Sequence, residues 1–189
     1  MASTVTIYNM ALARLNLNQI EDINSPDEDG GVVSVCNRVF PVLFKSILQA
    51  HDWSFATRSA ALALAGQDEH TGMLRYALPS DCVKIIKLEG GGPLRSPHYT
   101  RQGNHVLTIQ APAVLRYIGK EENPDLWPGT FFEAIVWRLA ADLAAAITSD
   151  RNKQQYCIQM AQQALYQAIS VDLNEQNPDP VPSGWLGAR

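Results

Sequence analysis

The pattern of the chain predicts an α+β fold. A frame of four helices, two from each end of the sequence, surrounds an inserted antiparallel β-rich module. Three observations predict this. Apolar residues recur at helical spacing over the first fifty residues and again from about residue 128 to 173. Between 53 and 119 the period shortens and β-branched residues gather into short runs bounded by glycine or proline. Beyond Leu173, the prolines Pro178, Pro180 and Pro182 rule out helix and central strand. The resulting division is 1–52 for the N-terminal helices, 53–119 for the β-rich domain, 120–173 for the C-terminal helices and 174–189 for an extended C-terminal arm.

The first helix is expected over 4–15, with Thr4 as its cap and Ile7, Met10, Ala11 and Leu15 on its apolar face. The second is expected over 25–50. Ser25, Pro26 and Glu28 have the spacing of a capping box, with acid at the positive end of the helix dipole. Its buried stripe would be Val35, Val39, Val42, Leu43, Ile47 and Leu48, with a kink near Asn37 to Pro41 where proline removes a backbone donor.

Ala60, Leu62 and Leu64 then alternate with small residues. Runs at 83–88, 106–109 and 114–118 read as strands, and Gly103-Asn104 and the glycines before Pro93 read as turns. The third helix is expected over 128–148, lined by Phe132, Ile135, Val136, Leu139, Leu143 and Ile147. Its alanines permit close packing. The fourth is expected over 150–173, joined so briefly to the third that the two must lie side by side and antiparallel.

The 189 residues are 46% hydrophobic, which is enough for a sizeable core, and only 18% charged. A formal net charge of -4 does not suit a protein that wraps nucleic acid. The apolar stretch at 131–147 carries Glu133, Arg138 and Asp142, so no membrane association is expected from it. Cys36, Cys82 and Cys157 are far apart and read as reduced residues of a protein assembled in a cytosol.

Catalytic constellations are thin. Cys36 with His51 and Asp52 reads better as a core thiol followed by a helix end. Glu121 with Glu122, or Asp68 with Glu69, has the residue types for glycan cleavage but reads as solvated surface. His98 and His105 lack a cysteine pair at zinc-ligand spacing. Gly90 to Gly92 lack the lysine and serine of a phosphate-binding loop. No catalytic residue, cofactor or metal is therefore expected.

Interaction surfaces are better represented. Trp53 and Phe55 are either anchors for a neighbouring subunit or a hinge packed into the chain's own core. The span 53–119 holds seven basic and four acidic residues, and the remainder eight and fifteen, so the two regions differ in sign at +3 and -7. Arg95 and Arg101 are the candidate contacts for that complementarity. In the arm, Pro178, Pro180 and Pro182 lower the entropy cost of ordering, and Trp185, Leu186 and Arg189 are candidate docking residues. The arm would dock on a neighbour or another protein, or fold back on its own body.

A family resemblance is carried by an ordered set of segments. These are Ile7-Tyr8-Asn9-Met10-Ala11-Leu12-Ala13-Arg14-Leu15, the Ser25 to Glu28 cap, and His51-Asp52-Trp53-Ser54-Phe55-Ala56. Next come Arg75-Tyr76-Ala77-Leu78-Pro79-Ser80-Asp81-Cys82 and Leu115-Arg116-Tyr117-Ile118. Phe131-Phe132-Glu133-Ala134, Leu139-Ala140-Ala141 and Trp185-Leu186 complete the set. Together they span nearly the whole chain, which resembles the tail tubular protein A family, the head-to-tail adaptors of short-tailed bacteriophages (podoviruses).

The resemblance implies a structural subunit of the virion neck, assembled in the bacterial cytoplasm. It implies a ring of twelve copies between the portal protein and a tail nozzle of the tail tubular protein B type. DNA would pass through the centre without specific binding. The alternatives are a tail-associated peptidoglycan hydrolase and a stopper or completion protein of a long-tailed phage.

Overall fold

The computed structural model describes residues 3–24, 31–89, 97–148 and 150–176. They form a mixed helix and sheet fold with four helices and two antiparallel sheets. The helices are α1 (Thr4–Arg14), α2 (Val32–Ala50), α3 (Gly129–Ile147) and α4 (Arg151–Glu175). The strands are β1 (Thr57–Ala61), β2 (Leu64–Gln67), β3 (Leu74–Ala77), β4 (Cys82–Glu89), β5 (Tyr99–Gln102), β6 (His105–Thr108) and β7 (Val114–Gly119).

The cap of α1 is Ser3 rather than Thr4. The Ser3 hydroxyl accepts from Thr6 N, and the Thr6 hydroxyl accepts from Ser3 N, which satisfies two otherwise orphaned donors. Helix α2 does not run unbroken from Ser25. Gly31 precedes it at φ +84°, a left-handed conformation that a helix cannot contain. The capping box at 25–28 lies outside the described residues.

Pro41 sits within α2 on its exposed side, where a missing backbone donor is tolerated. Val42 follows it onto that side and is 72% exposed, so it does not belong to the buried stripe. The stripe is Val33, Cys36, Leu43, Phe44, Ile47 and Leu48. This helix is long and apolar enough to cross a membrane by length and composition. Here the stripe faces the core it shares with α3.

Helix α3 is the centre of the fold and touches all three other helices. Its alanines allow close approach, and α4 packs along it with the early residues of one beside the late residues of the other. Phe131 shares a hollow with Ala168 and Val171, and Trp137 meets Tyr156 edge-on at 5.9 Å. Asp150 caps α4, its Oδ1 accepting from Asn152 N at 2.9 Å and Lys153 N at 3.1 Å.

The three-stranded sheet has the order β1-β7-β4 and the four-stranded sheet β2-β3-β6-β5. The expected single run through Ala60, Leu62 and Leu64 is two strands, because the chain leaves one sheet after Ala61 and enters the other at Leu64. The first sheet separates two cores. Val83 and Ile118 pack with the helices, whereas Leu88, Leu115 and Tyr117 pack with Tyr76 and Val106 of the second sheet and with Leu78 just after β3. Alternation along β7 puts Leu115 and Tyr117 on one face, as the period of a strand requires.

Candidate interaction surfaces and the Asp172 junction

The segment leaving α2 turns into the first sheet against the end of α4. Trp53 is 1% exposed, donates its indole N–H to the Ile47 carbonyl at 2.9 Å, and meets Phe131 edge-on at 4.8 Å. Phe55 is partly buried and contacts the same Phe131 ring at 4.7 Å. Both residues therefore pack into the chain's own core, and Trp53 has almost no surface left to offer a second chain.

Asp172 of α4 is the buried charge at this junction. Its Oδ1 accepts from Ser54 N at 3.0 Å and from Ser54 Oγ at 2.5 Å. Its Oδ2 lies 2.9 Å from His51 Nε2 and accepts from Gln176 Nε2 at 2.8 Å. Gln176 also donates to the Asp52 carbonyl, and Lys84 of β4 pairs with Asp52 at 2.7 Å.

Serine, histidine and aspartate thus converge, but in an order that does not activate a nucleophile. A catalytic triad needs histidine between serine and acid. Here the acid stands between the other two and accepts from both. A buried carboxylate with its lone pairs occupied is a clamp, and it ties the last turn of α4 to the α2–β1 connection. The sequence reading missed Asp172.

The other chemical candidates are also dispersed. Cys36 and His51 are fifteen positions apart along one helix, about 22 Å by the helical rise. Burial pushes the Cys36 thiol up to about 11, away from the reactive thiolate. Hydrogen bonds from Thr71 hold Asp68 below its usual range, opposite to the shift a general acid requires. Glu121 accepts from Arg58, and Glu122 pairs with Lys120. His98 precedes β5, while His105 opens β6 opposite Gln102. They stand at opposite ends of the hairpin, roughly 13 Å apart by strand rise, too far to share one ion. Among the described residues there is no group of three or more metal-ligating side chains.

Arg58 forms a second clamp, within the β-rich region. It donates to Asp81 at 2.5 Å and Glu121 at 2.8 Å, while the Tyr117 hydroxyl donates to Asp81 at 3.2 Å. Its side chain lies so close over Gly119 that a Cβ there would stand 2.6 Å from Arg58 Cδ.

Arg101 is exposed on β5, which is exposed throughout. Arg95 and the arm residues Pro178, Pro180, Pro182, Trp185, Leu186 and Arg189 lie outside the described residues. A further surface went unremarked in the sequence reading. Residues 154–171 of α4 contain no Asp, Glu, Lys or Arg but include six glutamines. Tyr156, Ile158, Tyr166 and Leu173 are all more than 40% exposed on this helix. Loss of charge with tyrosine enrichment characterises the centre of protein interfaces. The signal was available as an uncharged run within an otherwise amphipathic pattern.

Helices α2, α3 and α4 also enclose an open groove of about 250 Å³. Ile47, Ala134, Ala141, Ile158, Ala161 and Leu165 give it apolar walls, and the Arg138–Asp142 pair stands at its rim. No protein-family model matches the chain, and no curated protein matches it.

Proposed function

We propose that this chain is a non-catalytic assembly subunit whose work is to hold a shape and present surfaces to other chains. More particularly, we read it as a head-to-tail adaptor of a short-tailed phage, forming a ring between portal and tail nozzle through which DNA passes. The observation that carries this reading is the ordered set of segments resembling the tail tubular protein A family along nearly the whole sequence.

The architecture is compatible with it. Within the described residues, the resembling segments fall on α1, the α2–β1 junction, the β3–β4 stretch, β7 and α3. In this reading the four helices act as one bundle frame, and the β-rich region is the module it carries. The uncharged face of α4 supports a role in subunit contact, because burying it desolvates no ion. A ring would use two different faces of each copy. The net charge of -4 per copy would keep a channel from gripping DNA.

No observation favours a wall hydrolase: of the candidate acids, Asp68, Glu121 and Glu122 are engaged in hydrogen bonds or ion pairs. Native mass measurement of the purified protein, alone and mixed with cognate portal rings, tests the reading. The expected result is a stoichiometric ring added to the portal. A portal whose mass stays unchanged at micromolar adaptor would count against it.

A further inference from the structure

We propose that copies of this chain join head to tail through an ionic contact, in which Glu21 and Asp22 of one copy sit on a cationic row of the first sheet of the next. The inference rests on the reading of the chain as an assembly subunit but not on the phage. The contact is separate from the uncharged face of α4.

The row follows from the register of the sheet. Ser59 of β1 stands opposite Arg116 of β7, and Arg116 stands opposite Lys87 of β4. Directly opposed residues share a face, so a hydroxyl, a guanidinium and an ammonium lie in one line across three strands. Leu115 and Tyr117 belong to the second core, and alternation turns Arg116 the other way. There Arg116 and Lys87 line an open cleft of about 440 Å³ that also holds Asp52 and Gln176.

Like charges directly opposed across strands destabilise a sheet, so this row favours an added anion. The carboxylates at hand are engaged elsewhere. Asp52 pairs with Lys84, and Asp172 accepts from Ser54 and Gln176 and faces His51. Glu89 meets Lys87 only loosely, at 3.6 Å. Among the described residues, exposed Arg116 has no ion pair and the Ser59 hydroxyl has no hydrogen bond. The fork of a guanidinium matches the two oxygens of a carboxylate.

The chain itself carries such a group in presentable form. Between Arg14 and Arg38 the sequence has five carboxylates and no lysine or arginine. Two of them, Glu21 and Asp22, are exposed on a segment pinned at both ends. Asn9 donates to the Ile20 carbonyl at 2.9 Å and accepts from Ile20 N at 2.8 Å, and Ile20 is buried. Asn37 donates to the Ile23 carbonyl at 3.1 Å. A tip already held in place loses little entropy on docking.

A copy cannot satisfy its own row. The tip is held at Asn37, and the cleft includes Asp52, just beyond the far end of α2. The stretch of helix between them is about 20 Å long. The contact therefore joins two different faces of successive copies, which is the kind of contact that closes a ring.

Two measurements on the full-length chain test this. In the first, natural-abundance and heavy-nitrogen protein are mixed at high concentration and treated with a carbodiimide, which joins amines to touching carboxylates. Mixed-isotope peptide pairs linking Lys87 to Glu21 or Asp22 are expected. Lys87 joined only within its own chain, or only to other carboxylates of a second chain, would overturn the proposal.

The second is sedimentation equilibrium. Lys87→Glu/Arg116→Glu should weaken self-association about tenfold or more, and so should Glu21→Lys/Asp22→Lys. Mixing the two variants should restore it, because each then meets an opposite charge. An unsubstituted chain that stays monomeric, variants that associate as it does, or a mixture no tighter than either variant alone would each refute the contact. A Lys87→Glu/Arg116→Glu chain that still builds a full ring on a portal would also refute it, while leaving the adaptor reading intact.

Discussion

Helices α3 and α4 lie side by side, yet the fold uses them differently. Of the nineteen residues of α3, ten are buried, including Phe131, Trp137, Leu139 and Leu143. Of the twenty-five residues of α4, only Cys157, Ala161, Ala164, Ala168 and Asp172 are buried. The first helix is consumed by its own core. The second touches that core through small side chains and leaves an uncharged, tyrosine-bearing face outside. The difference separates residues that hold the shape from residues available for contact. Substitutions in α3 should therefore change stability, and substitutions on the outer face of α4 should change assembly.

The largest effect should come from α3. Phe131→Ala removes a ring in contact with Trp53, Phe55 and Trp127. It should cost about 3–5 kcal/mol, read as a lowered midpoint in denaturant unfolding.

A smaller effect should appear at alkaline pH, where α1 meets α2. Burial raises the Cys36 thiol from 9.0 to about 11 and the Tyr8 phenol from 10.0 to about 12. The folded state therefore keeps these protons longer than the unfolded chain does. Stability is fully present below pH 9 and is lost as pH rises from 9 toward 12. The Cys36 share is on the order of 2–3 kcal/mol. Cys36→Ala should flatten the first part of that decline in unfolding measured across pH.

Asp172 is the exception on α4, being charged and buried. Asp172→Ala leaves the Ser54 amide and hydroxyl without their acceptor and removes one of the two acceptors of the Gln176 amide. A loss of about 1–3 kcal/mol is expected, with hydrogen exchange rising first at the α2–β1 connection. The smallest effect on stability should come from the outer face. Tyr166→Glu should shift it by no more than about 0.5 kcal/mol in thermal unfolding.

The four helices were legible because their apolar periods are long. Long strands such as β4 and β7 were legible from β-branched runs. Strands β3 and β5 were missed: each has four residues and carries an arginine, Arg75 or Arg101, which interrupts the apolar signal. Val42 was misassigned because apolar residues occur on more than one side of α2, and periodicity alone does not say which side faces solvent.

The Asp172 clamp was illegible for a different reason. Its partners Ser54 and His51 are 118 and 121 residues away, and local pattern carries no such distance. Trp53 and Phe55 were visible as an aromatic cluster, but only packing against Phe131 shows where the rings go.

We propose that the chain assembles through the uncharged face of α4 while α3 holds its shape. The most direct measurement is the native mass of a Gln163→Glu/Tyr166→Glu protein mixed with cognate portal rings, beside the unsubstituted protein under the same conditions. The unfolding midpoint should stay unchanged, with a full ring on the portal for the unsubstituted chain and a bare portal for the variant. A variant that builds the same ring would contradict it.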